Sequence, residues 1–92
     1  MTRIFCLKDL STGECLMFMS LAGMASWIKE KEPVNGILYE GKNYEVTAEN
    51  MSAILEHSKS NYDLCPKITI TESFFVQNIE TDYILSTINV HE

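Results

Sequence analysis

Nucleophilic catalysis needs a base beside a nucleophile, and this chain offers two histidines, His57 and His91, with three cysteines, Cys6, Cys15 and Cys65. The best pairing is Cys65 with His57, a thiol that an imidazole could activate. No third group is placed to orient His57, Cys65 precedes Pro66 in an expected loop, and His91 is the penultimate residue. The carboxylate pairs Glu30 with Glu32 and Glu80 with Asp82 have the functional groups for acid–base work, yet no aromatic sugar platform surrounds them. No two Cys or His residues have zinc-ligand spacing, and Gly13, Gly23, Gly36 and Gly41 stand apart, so no metal site and no phosphate-cradling loop are expected. The reading is a non-enzymatic chain without a cofactor.

Charge and aromatic placement say more. From Met1 to Leu38, Arg3, Lys8, Lys29 and Lys31 balance Asp9, Glu14, Glu30 and Glu32. From Tyr39 onward, Glu40, Glu45, Glu49, Glu56, Asp63, Glu72, Glu80, Asp82 and Glu92 face only Lys42, Lys59 and Lys67, which accounts for the formal charge of -6. All four tyrosines lie in this half, each beside an acid: Tyr39-Glu40, Tyr44-Glu45, Tyr62-Asp63 and Asp82-Tyr83. In a strand such a step also arises when tyrosine turns inward and its neighbour outward. On a surface, carboxylates steer a basic partner and tyrosine supplies contact area at small entropic cost.

The 92 residues suit a single domain, 1–92, with one modest core. No run of Lys and Arg exists to displace counterions from a phosphate backbone, so direct nucleic-acid binding is disfavoured. The uncharged stretch from Cys15 to Ile28 is too short to span a bilayer and is preceded by Asp9 and Glu14 rather than by positive charge. A cytoplasmic location without membrane contact is expected. The odd number of cysteines fits a reducing compartment, with Cys6 and Cys15 diagonal on one strand face and all three read as small core hydrophobes.

The elements that must position these residues follow from periodicity. Arg3 to Leu7 and Cys15 to Met19 read as a hairpin whose strands are apolar on both faces, with Gly13 ending its loop. Ser20 caps a helix running to about Lys31, with Leu21, Met24, Ala25 and Ile28 on its stripe and Trp27 just off it, at least half buried. Glu32-Pro33 ends that helix, and Asn35-Gly36 is turn chemistry. A second hairpin, Ile37 to Val46, turns at Glu40-Gly41-Lys42, and Thr47 caps a second helix with Met51, Ile54, Leu55 and Ser58 inward. Strands are expected near Ile68 to Thr71 and Tyr83 to Val90. Phe74, Phe75 and Val76 extend strand character across Ser73 to Ile79. The fold class is α+β in the order ββαββαββ, with both helices on one face of a largely antiparallel sheet.

The function this implies is antagonism of a larger protein by occupying a basic, nucleic-acid-handling surface, as phage anti-defence proteins do against restriction or CRISPR effectors. The contact residues would be Tyr39, Glu40, Tyr44, Glu45, Glu49, Glu56, Glu80, Asp82 and Tyr83, with Tyr39, Tyr44 or Tyr83 as anchors. A toxin immunity protein is an alternative within the same class. A second class is a homo-oligomer that sequesters a small molecule or scaffolds an assembly, joined through Phe5, Leu7, Leu16 and Phe18 of the first hairpin.

Overall fold

The computed structural model describes residues 2–31 and 34–91. The helix stop read at Glu32-Pro33 lies outside them. The chain folds as β1 (Thr2–Asp9), β2 (Cys15–Phe18), α1 (Leu21–Lys29), β3 (Val34–Tyr39), β4 (Lys42–Tyr44), α2 (Ala48–Ser60), β5 (Lys67–Ser73) and β6 (Asn78–Val90). This is an α+β fold in the expected element order. All neighbouring strands pair antiparallel, in the order β2-β1-β6-β5-β3-β4.

Local chemistry sets the turns. Asp9 Oδ1 accepts from the Ser11 amide at 2.8 Å and the Ser11 hydroxyl at 2.6 Å, which folds the β1–β2 loop and holds the Asp9 carboxyl below its ordinary pKa. Gly13 closes that loop in the left-handed region, φ 77°. Between β3 and β4 the reversal takes only Glu40 and Gly41, both at positive φ (47° and 79°), and Lys42 already belongs to β4. Two consecutive positive dihedrals give the primed turn whose twist matches a two-residue hairpin. Ser20 Oγ accepts from the Gly23 amide and Thr47 Oγ1 from the Asn50 amide, so both expected N-caps form. Helix α1 stops two residues before Lys31, because its last turn tightens and the Lys31 amide bonds the Ile28 carbonyl three residues back.

Register decides the layers. Phe5 opposes Phe18 and Leu7 opposes Leu16 across β1–β2, while Leu7 opposes Leu85 across β1–β6. Ile68 opposes Tyr83, and Ile37 opposes Ile70. These positions share one sheet face, and a single core cluster joins Leu7, Ile37, Ile68, Ile70, Tyr83 and Leu85 to Met24 and Ile28 of α1 and Met51, Ile54 and Leu55 of α2. Each fully buried aliphatic side chain here contributes roughly 1.5–3 kcal/mol. Trp27 packs against this cluster, tilted on Phe18 at 5.9 Å, with the Lys31 ammonium 4.2 Å from its ring centroid. The alternate set, with Ile4, Cys6, Met17, Ile84 and Ile88, registers on the opposite face, where Met17 is 64 % and Ile88 45 % exposed.

Three sequence readings change. Asn35-Gly36 is not a turn ahead of the second hairpin but lies within β3, which begins at Val34. Ser73 to Ile79 is not one strand: Ser73 and Asn78 are the last pair, and the chain bends at Phe75 and Val76, with the Phe74 amide donating to the Gln77 carbonyl. The β propensity of the aromatics described the flanks and missed the reversal. Cys6 and Cys15 do lie diagonally, since Cys6 faces Met17 and Lys8 faces Cys15, and burial together with the Cys15 thiol pushes the Cys6 pKa up. Only Cys6 is in the interior, however. Cys15 is exposed on the short strand β2, and Cys65 is exposed in a loop. Among the described residues no helix is long and apolar enough to cross a membrane.

Gly36, beside a register shift in β3, has φ 150°, and a Cβ there would sit 2.8 Å from Asn43 Oδ1 and from the Tyr44 carbonyl oxygen. Gly36→Ala is expected to destabilise by about 2 kcal/mol or more, against about 1 kcal/mol for Gly13→Ala, whose Cβ would meet nothing within 4 Å. Urea unfolding of the two variants checks the difference.

Candidate functional site

Helix α2 and the β3–β4 hairpin build the site. Tyr39 ends β3 with its ring in the core, 6 % exposed, and its hydroxyl reaches Nδ1 of His57 on α2 at 2.9 Å. The rings meet edge to face, centroids 5.6 Å apart at 84°. Glu40 follows in the turn, with Oε2 3.8 Å from the same nitrogen. Together with Lys42 and Tyr44 these side chains line a cleft of about 100 Å³. Burial, then the nearby Glu40 and Asp63 carboxylates, raise the Tyr39 pKa, so the phenol keeps its proton where it meets Nδ1 of His57. Protonated, His57 would present an N–H to Glu40. The cleft brings an imidazole, a phenol, a carboxylate and the Lys42 amine together, and among the described residues no serine, threonine or cysteine lines it.

Around the cleft the expected acids split into two groups. Glu40, Glu45, Glu49 and Glu56 are all exposed on the hairpin and α2. Glu45 orders this segment as well, its carbonyl accepting from Asn50 Nδ2 at 2.9 Å, and Glu49 lies in the first turn of α2, where the helix dipole favours it. Glu80 and Asp82 instead register with Thr71 and Thr69, on the face turned away from Tyr83. Asp82 is already engaged, accepting from Thr69 Oγ1 at 2.6 Å with Lys67 Nζ at 3.7 Å.

The tyrosines separate likewise. Tyr83, 3 % exposed, is a core residue whose pKa is raised by burial and by Asp9, Glu72 and Glu14. With Tyr39 it is withdrawn from the expected anchors, because both rings fill the interior. Tyr44 is half-buried and lines the cleft. Leu7 is fully buried, and Phe5 and Phe18 pack against the core, so the apolar surface open to a second copy lies on the opposite face, around Met17 and Ile88. His57 and Cys65 are not brought together: the imidazole faces Tyr39, and the thiol lines another groove. Sequence reasoning missed the His57–Tyr39 bond, whose partners are 18 residues apart with no local signal. Among the described residues no group of His, Cys, Asp and Glu could hold a metal ion. No family model matches this chain, and neither does any curated protein or solved structure.

Glu40 holds a left-handed backbone at a cost of about 1 kcal/mol. Glu40→Asn, the residue such a turn favours, should raise stability by about 0.5–1 kcal/mol in thermal unfolding. A second outcome concerns alkali. The folded state binds the Tyr39 and Tyr83 protons more tightly than the unfolded chain does, so their contribution is complete below about pH 10 and is lost as pH rises through the raised values. Tyrosinate absorbance should show late titration that Tyr39→Phe and Tyr83→Phe each diminish.

Proposed function

We propose that this chain is a non-enzymatic binding protein whose acidic α2–hairpin surface occupies a basic surface of a larger, nucleic-acid-handling protein, in the manner of a phage anti-defence inhibitor. The observation that carries this reading is the exposure of Glu40, Glu45, Glu49 and Glu56 on one helix-and-hairpin unit, where among the described residues none of the four has a Lys or Arg ion-pair partner and Glu40 alone has an imidazole, His57, within 4 Å. Unneutralised carboxylates at this density repel one another and gain from a basic partner. Tyr44 is the aromatic anchor. We place both helices on the same sheet face, since their buried residues enter one cluster with Leu7 and Leu85. Free thiols at Cys6, Cys15 and Cys65 favour a reducing, cytoplasmic setting.

With a partner isolated by affinity capture on the wild type, charge reversal of Glu40 together with Glu45 is expected to slow association about tenfold and to flatten its salt dependence. Tyr44→Ala should speed dissociation by about tenfold. Binding kinetics insensitive to salt and to both changes would sink the proposal.

A second reading, self-association, is favoured by the exposed apolar residues Met17 and Ile88 on the other sheet face. Sedimentation of the wild type should then show a dimer at about 10 μM, and Met17→Glu should return monomers. A strictly monomeric wild type removes this reading and leaves the first untouched.

A further inference from the structure

A groove of about 600 Å³ lies where β1 and β6 run past the end of α2. That volume is in the range of small-molecule sites. Arg3 and Asn89, directly opposed in the register, form its floor with Thr87. Glu56 and Lys59, adjacent turns of α2, make one wall, and Leu64 and Cys65 of the following loop make the other.

Charge distinguishes this groove from the rest of the surface. In a chain of net charge -6 it gathers two of the seven Lys and Arg residues. Among the described residues neither Arg3 nor Lys59 is in an ion pair, whereas Lys67 is committed to Asp82. The Arg3 guanidinium lies 5.1 Å from the Phe5 ring centroid, a contact that steadies it while leaving its fork of N–H donors available. Lys59 is not consumed by capping its helix either. The carbonyls of Glu56, His57, Ser58 and Lys59 already accept from the Ser60 hydroxyl, the Asn61 side chain and the Asn61, Asp63 and Tyr62 amides. Asp63, at the edge of the adjoining cleft, accepts from the Cys65 amide at 3.0 Å. Glu56 is the one carboxylate in the lining.

We propose that this groove binds a small organic anion, its carboxylate or phosphate held by Arg3 and Lys59. Thr87 and Asn89 supply neutral donors, and Leu64 covers the apolar part of the ligand. The site is distinct from the hairpin part of the acidic surface, because Glu40, Glu45 and Glu49 lie outside it and only Glu56 borders both.

Phenyl phosphate and benzoate are the probes, with benzylamine as cationic control, followed by amide chemical shifts and by alkylation of Cys65 relative to Cys15. Saturable shifts at Lys59, Leu64, Thr87 and Asn89 are expected, with a dissociation constant of about 1 mM or tighter. Either anion should slow alkylation of Cys65 and leave Cys15 unchanged, and the tighter of the two names the headgroup. Lys59→Gln and Arg3→Gln should each weaken binding about tenfold. Lys59 is exposed, so its variant tests the site without touching the core. Absence of saturable shifts with both anions, equal binding of benzylamine, or undiminished affinity in Lys59→Gln overturns the proposal.

Discussion

Strand β6 is 13 residues long, and its two halves hydrogen-bond different neighbours. Asn78 to Ile84 pair with β5, and Tyr83 to Val90 pair with β1, so the ladders overlap only near Tyr83 and Ile84. The β2–β1 pair and the β5–β3–β4 group have no other sheet connection. Two bonds brace the crossover: the Leu10 amide donates to the Asp82 carbonyl, and the Leu85 amide to the Pro66 carbonyl. A one-residue slip of β6 would turn Tyr83 and Leu85 out of the core and Ile84 in, because side chains alternate with period two. The buried pair thus fixes register for the whole sheet.

This dependence divides the molecule into a local part and a long-range part. The hairpin β3–β4 with α2 is contiguous in sequence, and its acidic surface needs only a tight turn, an N-cap and the Tyr39–His57 bond. The groove at Arg3 and Asn89 exists only once the first and last strands have paired, a contact that closes a loop of nearly the entire chain. Such contacts carry a loop-closure entropy cost before any burial offsets it. Loosening of the β1–β6 ladder would therefore abolish the groove before it disturbed the acidic surface.

Helix α2 serves both regions from opposite sides. Met51, Ile54, Leu55 and Ser58 anchor it, leaving His57 to face the hairpin cleft while Glu56 and Lys59 face the groove. Tyr39 contributes a buried ring and a surface-reaching hydroxyl, so core packing sets the position of the His57 imidazole. Glu40 is held in a strained turn beside it.

Much of the architecture was legible from residue type and spacing, because caps, turns and periodicity act over a few residues. Ser20 and Thr47 mark their helices, Gly13 and Gly41 their turns, and the apolar alternation its strands. The sequence by itself also determined that Glu40, Glu45, Glu49 and Glu56 would find no core role, since a buried unpaired carboxylate costs too much. It did not separate tyrosines that pack from tyrosines that bind: Tyr39 and Tyr83 went inside and Tyr44 only halfway, because β3–β5 and β5–β6 register, not local sequence, sets which side each faces. The aromatics at Phe74 and Phe75 concealed a reversal that pairing between Ser73 and Asn78 imposes. Tertiary structure alone joined His57 to Tyr39, and Arg3 to Lys59 and Asn89. Those partners are distant in sequence, and only strand pairing and helix packing bring them within reach.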